Sequence, residues 1–298
     1  MPLSDFVRLH DPRFKTCLDD GAELVKLWSG GKWVEGPAWF DAGYLIWSDV
    51  PNNRLYKWDE ASVTVSVFRS SSAMSNGNSP TRDGRLLTCE QGSRRITRTE
   101  HDGSITVLAS HFEGKKFNAP NDIVEKSDGS VWFTDPDYGP SGRAGSLELD
   151  GCHVYRVDPE SGEVTQVIND MVMPNGLAFS PDERWLYVVD TGSTHFADGP
   201  NHIRRFEVGP DGNLSGGAVI ARNQAKGFDG LRVDTEGRLW CGSWDGVDCL
   251  DADGVMLGQV LVPERVANLA FGGAGRNVLY MCGTTSLYAC STNVVGTP

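Results

Sequence analysis

Six times along this chain an acidic or amide side chain stands at nearly the same distance ahead of a chain reversal that leads into an apolar strand. The residues are Glu35, Asn76, Asn121, Asn175, Asp229 and Asn268, and the reversals fall at Gly43, Gly84, Gly129, Glu183, Gly237 and Gly275. The offset is 8 residues in five copies and 7 in the sixth. Equivalent positions of a repeat occupy equivalent places in the fold. The series therefore predicts six oxygen-bearing side chains converging on one axis.

The reversals sit inside hairpins, quotable as DAGYLIWS, RDGRLLTC, SDGSVWFT, PDERWLYVV, TEGRLWCG and GAGRNVLYM. Gly and Asp at the turn suit positive φ, and the flanking Leu, Val, Trp and Tyr suit packed, pleated strands. Most copies are followed by a second hairpin, such as NRLYKWDEASVTVSVF or CHVYRVDPESGEVTQVI. Four strands per repeat describe an all-β, six-bladed propeller with antiparallel blades. The sixth copy has only TSLYACS, so the segment ELVKLWS, Glu23 to Ser29, is expected to supply its missing strand and close the ring. Closure removes an exposed sheet edge. Residues 1–21 then form a lead-in arm, and 22–298 a single propeller domain.

In a propeller the loops after the second strands return to the face that carries the six residues. Those loops contain Asp49, Gln91, Asp137, Tyr138, Asp190, His195 and Trp244. Tyr138 and Trp244 are candidates for stacking on a sugar-like ring, Asp49, Asp137 and Asp190 for binding hydroxyls, and His195 for assisting proton transfer. The stretch 135–151 is long for a blade connection and is a candidate lid or pocket wall.

A net charge of -13 with no basic run argues against nucleic-acid or anionic-membrane partners. The opening MPLSDFVRLHDPRF interrupts any signal-like apolar core with Asp5 and Arg8, and no stretch of about 18 apolar residues occurs. Seven cysteines without a C-x-x-C pair suit reduced thiols. These features predict a soluble, cytoplasmic protein.

Two carboxylates with several amide oxygens, and no Cys or His at the equivalent positions, form a hard-oxygen set. It prefers Ca²⁺, then Mg²⁺ or Mn²⁺, with Zn²⁺ the weaker candidate. Two negative charges balance one divalent cation. Without it, Glu35 and Asp229 would repel and shift each other's pKa.

The segments EGPAWF, CEQGSRRITRTEHDG, NAPNDIVEKSDGSVWFTDPDYG, MPNGLAFSPDERWLYVVDTG, GFDGLRVDTEGRLWCGSWDG and NLAFGG resemble the SMP-30/gluconolactonase/luciferin-regenerating-enzyme family over roughly residues 30 to 290. The resemblance implies a propeller with a divalent metal in its channel and lactone hydrolysis, most often of sugar-acid lactones such as gluconolactone. It implies Glu35, Asn175 and Asp229 as metal ligands and Asn121 as a further ligand or substrate-binding group. Asp229 takes the base role, so that Asp229 and Asn121 form the catalytic pair. Asn76 and Asn268, supported by register alone, are expected behind the ligands or on metal-bound water. Three positions depart from family patterns: Gln91 where C-E-H-G is common, Asp137 where a second proline is common, and Ala119 where animal members carry arginine. The expected mechanism is polarisation of a lactone carbonyl by the metal while Asp229 activates water. Alternatives on the same site are phosphoester or organophosphate hydrolysis, and a noncatalytic, metal-plugged propeller that binds a sugar acid or a protein.

Overall fold

The computed structural model describes residues 3–139, 147–223 and 227–298. Six antiparallel blades follow one another along the chain, five of four strands and one of five, with the N-terminal segment lending a strand to each of the last two. Their innermost strands are Val34–Phe40, Ser75–Pro80, Ile123–Glu125, Pro174–Phe179, Phe228–Val233 and Val266–Gly272. The strand Val25–Ser29 pairs antiparallel with Ser286–Ser291 and completes blade six, as the sequence predicted. The propeller is thus closed by hydrogen bonds between the two ends of the chain, with Val25–Ser29 as the outermost strand of blade six.

The lead-in segment is tied firmly to the ring. Val7–Leu9 adds a fifth strand to blade five by pairing with Met256–Leu261. Phe6, Phe14, Cys17 and Leu18 are buried in a cluster shared with blades five and six, and the Phe14 ring lies 5.9 Å from that of Trp240. All seven cysteines are free, and all but Cys152 are buried. No helix among the described residues is long and apolar enough to cross a membrane.

The turn geometry corrects one count. In each first hairpin, a left-handed residue donates its N–H to the carbonyl three positions back, as from Gly43 to Phe40 at 2.9 Å. In blade six that residue is Arg276, with φ +50° and its N–H on Gly273 at 3.0 Å, rather than Gly275. The offset from Asn268 is therefore 8, as in the other five. Glycine identity misled the count because backbone hydrogen bonding, not residue type, selects the left-handed position. Arg276 and Glu183 tolerate a conformation that costs about 1 kcal/mol, each held by an ion pair, to Asp41 and Arg82 respectively, both at 2.9 Å.

Close approach of the innermost strands narrows the channel. In four blades a glycine follows the repeated acid or amide: Gly36, Gly77, Gly176 and Gly230. A Cβ there would lie 2.3 Å from the Asn76 carbonyl oxygen, 2.3 Å from that of Asn121, 2.6 Å from that of Asp229 and 2.3 Å from Asn268 Cγ. Each glycine therefore packs on the repeated residue of the next blade. In blade three the equivalent residue is Asp122, whose carboxylate projects into the space these glycines leave open.

Candidate active site

Five of the six repeated side chains meet at one mouth of the channel. Glu35, Asn76, Asn121, Asn175 and Asp229 line a cavity of about 530 Å³, together with Lys32, Trp33, Val50, Pro51, Gln91, Tyr138, Thr194, His195 and Arg265. All five are at least 95% buried. Asn268 is not in the lining. It lies below, with Nδ2 donating to Asp122 at 3.4 Å and Oδ1 accepting from the Leu269 N–H at 2.8 Å. Asp122 is fully buried and pairs with Arg232 at 3.1 Å, so an ion pair occupies the channel beneath the cavity floor.

The backbone holds the repeated residues rigidly. Asn121 donates its N–H to Thr134 and accepts from the Gly77 N–H at 2.7 Å, linking blades two and three. The Asn175 carbonyl accepts from Thr134 Oγ1 at 2.8 Å, linking blades three and four. Blades one, three and four share a further device. Asp49, Asp135 and Asp190, each at the end of a second strand, accept the N–H groups of the residues three and two places ahead of the repeated one. Asp49 and Asp190 are thereby spent on backbone and are not available to bind substrate hydroxyls.

Two further expectations need correction. Asp137 does not line the cavity, although its neighbour Tyr138 does. Asp137 sits in a bend just after the second strand of blade three, and its carboxylate disfavours ionisation of Asp135 and Cys152. Trp244 is 58% exposed and also outside the lining. Its ring instead backs the Arg265 guanidinium at 5.6 Å. Of the stretch 135–151, residues 140–146 lie outside the described part.

Burial dominates the electrostatics. The Glu35 carboxyl is pushed up to about 8 by desolvation first, then by Asp229 and Asp122, against the Gly36 N–H and Asn268. Asp229 is also raised by burial, but Arg265 opposes the shift with a 2.8 Å ion pair on Oδ2, and Asn175 adds a hydrogen bond. Tyr138 is pushed up to about 12 by burial and by the charge of Asp229. Its hydroxyl meets Thr191 Oγ1 and, at 3.1 Å, Thr194 Oγ1. Thr194 in turn contacts His195 Nδ1 at 2.9 Å.

Three polar atoms of the residues in this cavity wall are left without partners: Asn76 Oδ1, an acceptor, and Gln91 Nε2 and Arg265 Nε, both donors. Buried polar groups are otherwise almost always paired. Among the described residues no group of three or more His, Cys, Asp or Glu is arranged for a metal ion. A cation here would have to draw on amide oxygens beside Glu35 and Asp229. As hard-oxygen groups, these carboxylates and amides fit such a cation by donor type.

Sequence reasoning missed Arg265 and Trp33. A signal was present, since Lys32 and Arg265 both stand three residues ahead of a repeated residue, Glu35 and Asn268.

Known proteins match this architecture closely. A provisionally assigned gluconolactonase of known structure is 37% identical, covers 98% of this chain and 99% of its own, and superposes with a TM-score of 0.90. A gluconolactonase from Xanthomonas campestris is 35% identical over 97% of this chain and 95% of its own, with a TM-score of 0.88. The gluconolactonase of Zymomonas mobilis is 29% identical over 90% of this chain and 81% of its own length. Residues 33–285 match the family model for the SMP-30/gluconolactonase/LRE-like region. With that match spanning most of its length, the chain belongs to the SMP-30/gluconolactonase/LRE-like family.

Proposed function

We propose that this protein hydrolyses the ester bond of a small lactone, that of a sugar acid such as gluconolactone, at the channel mouth with a divalent cation bound. The observation that carries this reading is the convergence of two buried carboxylates and four buried amides, Asn76, Gln91, Asn121 and Asn175, in one cavity. Its volume falls within the roughly 300–1,000 Å³ usual for small-molecule sites. The family's lactonases support the reaction class.

Glu35, Asn121, Asn175 and Asp229 would hold the cation, with Ca²⁺ the best match to hard oxygens and Mg²⁺ or Mn²⁺ next. When bound, it supplies Lewis-acid polarisation of the carbonyl and neutralises charge developing there. The protein's own residues do the rest. Asp229 has Oδ2 on Arg265 and would bind the cation by one oxygen only, which leaves Oδ1 to take a proton from the attacking water. Burial raises its pKa while a bound cation would lower it, so part of the activation of the water would fall to the cation. The same oxygen returns the proton to the ring oxygen as the C–O bond breaks. Gln91 Nε2 and Asn76 Oδ1 offer a donor and an acceptor to substrate hydroxyls, and Trp33, Val50 and Pro51 form an apolar wall for the ring face. Tyr138 stays protonated across the physiological range and can donate to a hydroxyl.

A pH-indicator assay over a panel of aldono-lactones and simple aliphatic lactones tests the reading. Proton release on at least one lactone, lost with EDTA and regained with Ca²⁺, is expected. Asp229→Asn and Glu35→Gln should each lower kcat by a factor of about 100 or more. Full turnover after complete metal removal, or in either variant, would sink the assignment.

A further inference from the structure

Arg265 presents a cation beside the reacting group, and the steps above use it only to steady Asp229. It stands immediately before the innermost strand of blade six. Its guanidinium is braced on two sides, with the Trp33 ring centre at 5.3 Å and that of Trp244 at 5.6 Å, contributed by blades one and five. Nη2 donates to Asp229 Oδ2 at 2.8 Å. Nε is buried without a partner, and among the described residues no protein acceptor meets Nη1. The side chain lines the cavity. Lys32, the other cation of the lining, is exposed, whereas Arg265 is held by its ion pair and two indole rings.

A fixed positive charge is an odd neighbour for a cation site. It repels a divalent ion and lowers the site's affinity. Such a cost is retained where an anion must also be received. Hydrolysis of a lactone makes one, first as the oxyanion of the attacked carbonyl and then as the carboxylate of the product. That carbon must lie one water away from Asp229 Oδ1, and hence within reach of the guanidinium on Oδ2. A planar guanidinium with free donors matches a planar carboxylate.

We propose that Arg265 is a catalytic residue that receives this negative charge through Nη1. The inference rests on the lactone-hydrolase reading. Water adds to the carbonyl carbon, its proton passes to Asp229 Oδ1, and the carbonyl π pair moves onto the oxygen that Arg265 then binds. Collapse restores the carbonyl and breaks the ring C–O bond. The ring oxygen takes the proton from Asp229, and the free acid loses its own proton to solvent, leaving a carboxylate on Arg265.

The test compares metal-loaded wild type, Arg265→Lys and Arg265→Met, with metal content and melting temperature measured for each. Calorimetry follows binding of gluconate and of glucitol, or of the acid and reduced alcohol of whichever lactone is turned over fastest. Arg265→Met should bind the acid roughly ten- to a hundredfold more weakly and the neutral alcohol as wild type does, with kcat reduced. Arg265→Lys should recover part of both, since it keeps the charge but not the fork. Unchanged acid binding in Arg265→Met alongside a reduced kcat would overturn the proposal and leave Arg265 a positioning residue for Asp229. The two failures are separable. Unchanged acid binding while the wild type still hydrolyses lactones defeats the Arg265 role alone, and no turnover of any lactone by the wild type defeats the reaction beneath it.

Discussion

Glu35 has the largest electrostatic conflict in the cavity, and its consequence is measurable without substrate. In the metal-free protein its carboxyl is raised from 4.5 to about 8, mainly by burial. A raised folded-state value means the folded state holds the proton more tightly than the unfolded chain does. The contribution is fully present below pH 4.5 and is lost as pH rises through about 8. Metal-free Glu35→Gln should therefore melt at a temperature that falls less steeply than wild type between those limits, which a series of thermal scans would read. Cation binding requires the carboxylate, so uptake of Ca²⁺ at pH 7 should release roughly one proton. Calorimetry in two buffers of different ionisation enthalpy would detect it, and no buffer dependence would count against Glu35 as a ligand. At this scale the sequence was informative for residues in the repeat and poor for those outside it. The repeat picked out all six of its acid and amide residues by mapping equal positions to equal places, and the family resemblance singled out Glu35, Asn121, Asn175 and Asp229 among them. For Arg265 only its place three residues ahead of Asn268 was visible, and not its role, which depends on indoles from two other blades.

Among elements, the innermost strands carry the site, and their spacing is set by what they lack. Gly176 packs on the Asp229 carbonyl so tightly that an added Cβ would sit 2.6 Å from that oxygen. Gly176→Ala must push blades four and five apart at the cavity floor. A loss of about 1–3 kcal/mol is expected in urea unfolding, with weakened Ca²⁺ binding because Asn175 and Asp229 move with their strands. Gly237→Ala is the contrasting case. Nothing lies within 4 Å of its added Cβ, yet φ is +83°, so it should cost stability by backbone strain alone and leave Ca²⁺ affinity intact. The hairpins themselves were legible, since Gly and Asp turns between alternating strands are local signals. The Asp49, Asp135 and Asp190 anchors were not, because an acidic residue in a loop reads the same whether it binds backbone or substrate. Their work appears only once the opposing N–H groups are in place.

For the molecule as a whole, closure is made twice. Val25–Ser29 seals blade six by hydrogen bonding, and the lead-in segment then overlaps the seam from outside, with Phe14 buried against blade five. A Cβ on Gly258 would come 2.1 Å from the Phe14 ring, so the ring lies directly on the strand. Phe14→Ala should cost about 3–5 kcal/mol in a single cooperative transition. An early, partial transition that leaves lactone turnover intact would instead mark the segment as an independent appendage. Period, turn chemistry and strand pattern are local properties, and by themselves they determined the six-bladed ring, its N-terminal closing strand and the face on which the acid and amide series gathers. The tertiary structure alone decided which members of that series reach the cavity, that Asp137 and Trp244 turn away from it, and that a braced arginine meets Asp229. Those outcomes arise from contacts between blades, where side chains far apart in the chain compete for one narrow channel, and no local pattern encodes which of them prevails.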